Sequence, residues 1–372
     1  MLSAFKGASG LGSHTRLLPF GRFAYNACGQ RPLSSDAKSA RQALLRKIYE
    51  PFSKLKKGSL EYDELAKSGK VWEDHFQPHD SQRLGYKSLQ QDYKGMLAEI
   101  DELRELMKPQ VPELAKTLVA EYAHQSVSIE DNPLKIGDTI AVVDLLTSKL
   151  FAHIDIASIA ADDLTQLALP QLRSGGDESV VNELKNHIVA SQWIAESAAA
   201  RLGTPGMDEA EMRQLAAMTI KGTESEAIYA MAWGGSVPLG GYRKLPIAVK
   251  SNPLRVFPYP AEVPACVNRF FNWRDSQHHS KEIHPLILAC QMTAYFVHIH
   301  PFPDGNGRVS RMLMHDYIVR QGYLPVVMQN LEREDYIRMI EHACNGDPRE
   351  LVITVLSTQL DELHTFYWRQ RS

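Results

Sequence analysis

Two stretches in the last quarter of the chain limit what it can fold into. Pro285 to Ile299 carries no Asp, Glu, Lys or Arg, and Met312 to Val319 is again apolar at helical spacing. Each reads as a core helix. Between them stand His300-Pro301-Phe302-Pro303-Asp304-Gly305-Asn306-Gly307-Arg308-Val309-Ser310-Arg311. Two buried helices therefore meet at a polar turn rich in Pro and Gly. A loop that opens into a helix points backbone N–H groups at whatever lies before it, a natural seat for an anion.

The side chains of that turn extend the argument. Gly305 and Gly307 allow positive φ and close approach to a ligand. Arg308 and Arg311 are three apart and can face one anion. Asp304 is a hard oxygen donor suited to Mg²⁺ on phosphates. His300 is the side chain here that takes a proton near neutral pH. Phe302 is expected to face inward as an anchor. Singly, each has a plain structural reading as a helix stop, a turn or a surface pair. Together they suit phosphoryl or nucleotidyl transfer. His298 and His300 also form an H-x-H pair, but no Cys or third His stands at a suitable metal-binding spacing.

The dozen residues resemble the signature of the Fic family, H-P-F-x-D/E-G-N-G-R-x-x-R, with every fixed position filled. Most members of that family move AMP from ATP to a protein hydroxyl. The resemblance implies that His300 is the base for a target Ser, Thr or Tyr and that Asp304 holds Mg²⁺, or Mn²⁺, against the α- and β-phosphates. It implies that Gly305, Asn306 and Gly307 line the anion hole, with Arg308 on the β-phosphate and Arg311 on the γ-phosphate.

Far upstream, Ser126-Val127-Ser128-Ile129-Glu130-Asp131-Asn132 closes an amphipathic helical pattern running from Pro112. By itself this is a routine helix stop. Many Fic proteins, however, carry an inhibitory helix with Ser or Thr, three residues, Glu, then Gly or Asn. Its Glu pairs with the second motif Arg and blocks seating of the γ-phosphate. Ser126 and Glu130 fit; Asp131 departs from the pattern, and Asn132 comes one place late. The resemblance implies a Glu130–Arg311 pair that keeps the enzyme autoinhibited, with auto-AMPylation once it is released. Two alternatives stay open: removal of AMP using Glu130 and a water, and a non-catalytic nucleotide-binding module.

Gly240 to Val249, with paired glycines and then apolar alternation, reads as a small hairpin. In Fic proteins a flap at this place holds the target as an added strand, which here would use Tyr242, Arg243, Leu245 and Ile247. Main-chain pairing of that kind accepts many side chains. The match weakens at Lys250-Ser251. Asp177 to Ile194, with Glu183, Asn186 and His187, resembles the family helix beneath the nucleotide. Thr293 stands where many relatives have a His. The resemblance runs from about Val111 to Leu363.

The expected fold is mainly α, a Fic-type helical core with a small β-hairpin flap behind a helical N-terminal extension. The expected divisions are a presequence at 1–35, the extension at 36–110 and a Fic domain at 111–372. The last would hold the inhibitory helix at about 112–131, the flap at about 240–250 and the catalytic loop at 300–311. In the extension, Leu89, Tyr93, Met96, Ile100, Leu103 and Met107 recur at helical spacing and are expected to dock on the core. Lys54 to Asp80 has weak periodicity and reads as a loop.

A net charge of −3 makes no electrostatic case for nucleic acid. No run of about 18 apolar residues predicts a membrane span. No repeat is apparent. ATP and a target protein are the expected partners, and a homodimer is admitted. Cys28, Cys266, Cys290 and Cys344 are scattered and read as thiols of a reducing compartment.

Residues 1–35 contain Lys6, Arg16, Arg22 and Arg31, and no acid occurs before Asp36. This is presequence composition and predicts a mitochondrial location, the matrix in particular, with a cytoplasmic location as the alternative. Residues 1–40 fused to a fluorescent protein should carry it into mitochondria; a diffuse cytosolic signal would contradict the reading.

Overall fold

The computed structural model describes residues 35–76, 81–171, 177–230, 236–249 and 251–369. Residues 1–34 of the segment read as a presequence lie outside them. The N-terminal helices are α1 (Ser35–Ile48), α2 (Glu50–Ser53), α3 (Leu60–Ser68), α4 (Lys70–Phe76), α5 (Ser81–Asp92) and α6 (Lys94–Met107). Then come α7 (Val111–Thr117), α8 (Val119–Ser128), α9 (Ile136–Leu146), α10 (Glu178–Ala200), α11 (Glu209–Ile220) and α12 (Glu226–Ala230). The chain closes with α13 (Val263–Ser280), α14 (Pro285–Ile299), α15 (Asn306–Arg320), α16 (Arg333–Cys344) and α17 (Arg349–Arg369). No strand forms among the described residues.

The two helices expected to be core are the centre of the molecule. Every residue of α14 from Leu286 to Phe296 is buried, as is every residue of α15 from Arg308 to Arg320. A helix covered all round must be enclosed by others. Around this pair stand α13, α16 and α17 against α14, and α8, α10 and α11 against α15. The charges that α15 takes inside are matched. Arg320 donates to Asp316 at 2.8 Å, and Asp316 also accepts from the Met207 N–H at 2.6 Å. Burying a charge without such partners would be costly.

Helix α10 sets the position of the upstream segment. It touches both α8 and α15, so the end of α8 is carried onto the start of α15. The α8 end is closed by two reverse bonds, from the Asn132 N–H to the Val127 carbonyl (3.1 Å) and from the Asp131 N–H to the Ser128 carbonyl (3.0 Å). Asp131 itself is left-handed, with φ 67°. This is the helix-ending motif that favours Gly or Asn at that position. The departure at Asp131 is thus a backbone matter, because Asp tolerates the left-handed region better than most side chains.

Three expectations need comment. The Leu89–Met107 stripe does dock, with Leu89, Ile100, Leu103 and Met107 buried and α6 lying along α17, although the helix breaks at Tyr93. The Lys54–Asp80 loop is instead largely helical through Phe76, while 77–80 lie outside the described residues. Ser59 caps α3 at its start and left-handed Gly69 at its end. Phe52, Tyr62, Ala66 and Val71 then form a small core there. Tertiary packing overrode weak local periodicity.

The third concerns the flap, which is not a hairpin. The Gly240 carbonyl accepts from Arg213 at 2.9 Å, the Arg243 N–H donates to the Pro301 carbonyl at 2.9 Å, and the Ile247 carbonyl accepts from Arg41 at 2.5 Å. Pro238 and Pro246 have no N–H to offer a ladder. These backbone groups are engaged by the core and the extension, and the described segment forms no ladder of its own. At Gly240, φ is +71° and an added Cβ would lie 2.2 Å from the Arg213 carbonyl oxygen, so only glycine fits.

Cys266, Cys290 and Cys344 are buried free thiols, as a reducing environment would leave them. No described helix is long and apolar enough to cross a membrane. Because Ile100 is fully covered, Ile100→Ala should destabilise the fold by about 2–5 kcal/mol in chemical denaturation. A change under about 0.5 kcal/mol, the size of a surface substitution, would mean that the extension is not part of the core.

Candidate active site

The site is built where α14 ends and α15 begins. His300 closes α14 in the left-handed region (φ 51°, ψ 60°), its N–H bonded to the Phe296 carbonyl at 3.0 Å. A non-glycine residue held there stores about 1–3 kcal/mol of strain, a mark of functional positions. His300 Nδ1 lies 3.2 Å from the Val297 carbonyl. A carbonyl only accepts, so Nδ1 carries the proton and Nε2 keeps a free lone pair. Burial, followed by the charge of Arg243, lowers the ring pKa to about 3. The imidazole is therefore neutral at physiological pH, with Nε2 unprotonated.

The turn is braced from within. The Phe302 N–H donates to Asn306 Oδ1 (2.9 Å), and Asn306 Nδ2 donates to the Phe302 carbonyl (3.0 Å). Phe302 is fully buried, as expected of the anchor. The side chain of Asn306, one of the residues expected to line the anion hole, is thus engaged by the loop itself. What remains for an anion is backbone. Gly305 caps α15 with φ 83°, and the first helical bond runs from the Val309 N–H to the Gly305 carbonyl. The N–H groups of Asn306, Gly307 and Arg308 have no partner within the helix. At Gly307 a Cβ would lie 2.9 Å from Glu130 Oε1, so glycine is what lets the carboxylate approach.

Both motif arginines are buried, and carboxylates meet them. Arg308 Nη1 donates to Glu183 of α10 at 2.6 Å, and its Nη2 lies 3.8 Å from Asp304. Arg311 Nε donates to Ser126 Oγ at 2.8 Å. Its Nη2 donates to the Ser126 carbonyl at 2.9 Å and to Glu130 Oε1 at 2.7 Å. The predicted pairing across 181 residues is present, and Ser126 serves as a second clamp. Burial works to raise the Glu130 pKa, but the charges of Arg311, Arg308 and Arg333 outweigh it and hold it at about 2. Glu130 is ionised at neutral pH, and the pair keeps Arg311 protonated.

Asp304 is partly exposed at the mouth of the turn. Its Oδ2 accepts from Ser225 at 2.5 Å, and its backbone carbonyl accepts from Tyr229 at 2.9 Å. No three His, Cys, Asp or Glu residues cluster as a metal site among the described residues. His298 points elsewhere, its ring 5.2 Å from that of Trp72, so the H-x-H pair does not converge. Thr293 bonds back to the Ala289 carbonyl inside α14 (2.9 Å) and takes no part.

The flap residues divide. Leu245 is exposed and Ile247 half-buried, whereas the Tyr242 hydroxyl donates to Glu209 at 2.7 Å. Arg243 turns inward, donating to the His300 carbonyl at 2.8 Å, the Leu245 carbonyl at 3.2 Å and the Pro258 carbonyl at 2.7 Å. It braces the catalytic loop. Residues that sequence reasoning missed are Ser225, Tyr229 and Arg333. Arg333 Nη1 donates to the Ile129 carbonyl (2.8 Å) and Glu130 Oε2 (3.2 Å), and Nε lies 3.4 Å from Asp131. All three stand 75 or more residues from their partners, and no local signal marks them.

Fold and loop together define a Fic-type helical core. Residues 206–318 match the Fic/DOC family, and the chain carries a Fic domain there. It is 36% identical over 111 residues to protein adenylyltransferase Fic of Drosophila virilis, which is 30% of this chain and 23% of that one. The Drosophila melanogaster protein of the same name matches at the same identity over 22% of its length. The chain thus matches less than a quarter of these relatives. Among solved structures, Fic-1 from C. elegans superposes with a TM-score of 0.55 at 16% identity, covering 91% of this chain and 99% of that one. A Fic-domain signalling protein from Bacteroides thetaiotaomicron gives 0.53 at 19%, covering 73% and 94%.

The depressed Glu130 pKa has a thermodynamic sign. It lies below its ordinary value of 4.5, so the charged pair adds stability that is complete above about pH 4.5 and lost as the pH falls toward 2. Wild type should therefore melt above Glu130→Gln at pH 7, with the gap narrowing below pH 4.5. A gap independent of pH would mean that Glu130 is not held as a charge.

Proposed function

We propose that this chain is a protein adenylyltransferase, held shut in the described state, which moves AMP from ATP to a Ser, Thr or Tyr hydroxyl. The observation that carries the reading is the placement of His300. Its Nε2 is free, its ring is neutral, and it stands directly before the open N-terminus of α15. The names of the Drosophila relatives support the same reaction class. In that reaction the target oxygen attacks the α-phosphorus and its proton passes to Nε2. The bond to the β-phosphate breaks, and pyrophosphate leaves. The backbone cradle and Arg308 would face the growing negative charge.

A divalent metal fits the chemistry of the donors. Asp304 offers a single oriented carboxylate, and Mg²⁺ characteristically combines one or two carboxylates with phosphate oxygens and water. When bound, it would neutralise phosphate charge; Asp304 would hold it, with Ser225 fixing the carboxylate. The same reading assigns Glu130 as the inhibitor. Its oxygen takes the Nη2 donor of Arg311 that a γ-phosphate would otherwise use, and the two negative groups would repel each other there. Auto-AMPylation would follow release, and the extended segment with Leu245 would receive the target. Because Glu130 is ionised, positioning a water for the reverse reaction is the second reading. A mitochondrial location remains part of the proposal.

Labelled ATP separates the readings. Glu130→Gly should raise incorporation from α-labelled ATP at least about tenfold over wild type, as loss of one strong competing interaction implies. His300→Ala in that background, or a metal chelator, should abolish it. Label from γ only would make the chain a kinase. Release of AMP from a modified protein by wild type but not by Glu130→Gly would favour the reverse reaction. No label in any variant would leave a nucleotide-binding module.

A further inference from the structure

The N-terminal extension makes contacts that a mere docking element would not need. Arg41 of α1, almost fully buried, reaches more than 200 residues along the chain to the segment after the flap. Its Nη2 donates to the Ile247 carbonyl at 2.5 Å; its Nη1 donates to the Arg255 carbonyl at 2.9 Å and the Pro253 carbonyl at 3.2 Å. Three carbonyls on both sides of one bend converge on a single guanidinium. The next turns of the extension hold the far end of the segment. The Tyr49 hydroxyl donates to the Phe257 carbonyl. Phe52 stacks on Tyr259 at 4.4 Å, with Tyr49 edge-on to the same ring at 5.1 Å.

That segment is also the wall behind the base. Phe257 is buried, and its ring lies 4.6 Å from the His300 ring. Arg243 ties the His300 carbonyl to the Pro258 carbonyl through one guanidinium. Contacts thus run from Arg41 of α1 to Ile247, Pro253 and Arg255, and from Tyr49 through Phe257 to the ring of His300. The extension is itself fixed to the core at another place. Glu262 accepts from the Val71 and Trp72 N–H groups at 3.0 and 3.3 Å, and Arg269 donates to the Ser68 carbonyl at 2.6 Å. Among the described residues, 244–249 and 251–259 have no ladder and no helix until Pro260. A segment of that kind wanders unless side chains pin it.

We propose that the N-terminal extension is a working part of the acceptor side of this site. Arg41 and Tyr49 are positioning residues that hold the flap segment and Phe257 in register with His300. This rests on the reading of the site as one that modifies a protein hydroxyl. The bonds of Arg41 and Tyr49 named above fall on Ile247, Pro253, Arg255 and Phe257, whereas α8, α10 and α15 make the nucleotide side, so the two sides can be tested separately. An acceptor wall out of place by an ångström reduces transfer steeply while leaving ATP seated.

The test uses the full chain carrying Glu130→Gly, alone and combined with Arg41→Met or with Tyr49→Phe. Arg41→Met keeps an apolar stem without donors, and Tyr49→Phe keeps the ring and removes one hydroxyl. Incorporation from α-labelled ATP should fall about tenfold or more with Arg41→Met, and less with Tyr49→Phe. ATP affinity, read with a fluorescent analogue, should stay within about twofold, since that change is under 0.5 kcal/mol. Amide exchange without nucleotide should quicken in residues 243–249 and 251–259 but not in α14 or α15. Partial recovery with Arg41→Lys would separate a lost bond from a damaged fold.

Unchanged exchange in those residues would overturn the proposal, as would ATP affinity lost in step with labelling. If Glu130→Gly alone incorporates no label, the adenylyltransferase reading fails, and the exchange measurement still decides whether Arg41 and Tyr49 hold the wall.

Discussion

The structure turns on two arginines buried at the start of one helix. Arg308 and Arg311 sit in the first two turns of α15, each almost wholly removed from water. A guanidinium cannot shed its charge, and leaving it unpaired in the interior is costly. The fold supplies Glu183 to one and Glu130 to the other. Both acids arrive on other helices, so the packing of α8 and α10 against α15 is also the electrostatic condition for burying the pair. Asn132 joins the two acids, donating to Glu183 at 2.9 Å just beyond the turn that presents Glu130.

This arrangement ties the Glu130–Arg311 contact to the stability of the fold. An anion-binding site formed by buried cations needs negative charge whether or not its ligand is present. In the described state Glu130 supplies that charge to Arg311. Arg333 shares the load of Glu130 from the start of α16 and also faces Asp131. That pair is half exposed, where single ion pairs contribute little, roughly 0–1 kcal/mol. The position of Glu130 therefore depends mainly on Arg311, itself clamped by Ser126, with Arg333 refining the position of the turn.

The same reasoning explains how the sequence could be read in some places and not in others. The loop was legible because its roles are packed into twelve consecutive residues whose φ demands and charges are all local. Ser126 and Glu130 were legible only through family resemblance; as residues they are an ordinary helix end. The α5–α6 stripe announced its own burial by period. The weak pattern from Lys54 to Asp80 hid two short helices, which are stable only against Tyr259 and α13. The flap misled because paired glycines and alternation do describe a hairpin. Arg41, Arg213 and Pro301 take up the backbone groups that a hairpin would use.

By itself, then, the sequence determined the helical class, the two core helices and the polar turn between them, with His300, Arg308, Arg311 and Asp304 as its candidate base, cations and metal ligand. Those follow from periodicity, glycine conformation and side-chain chemistry, which act over a few residues. Only the tertiary structure decided who meets whom: Glu183 on Arg308, Ser225 on Asp304, Arg333 on Glu130, and Arg41 on the flap. It also showed the Asn306 side chain bracing the loop through Phe302, with its backbone N–H at the open start of α15. Such pairings join residues separated by dozens to hundreds of positions, and chain connectivity sets no distance between them until the core has packed.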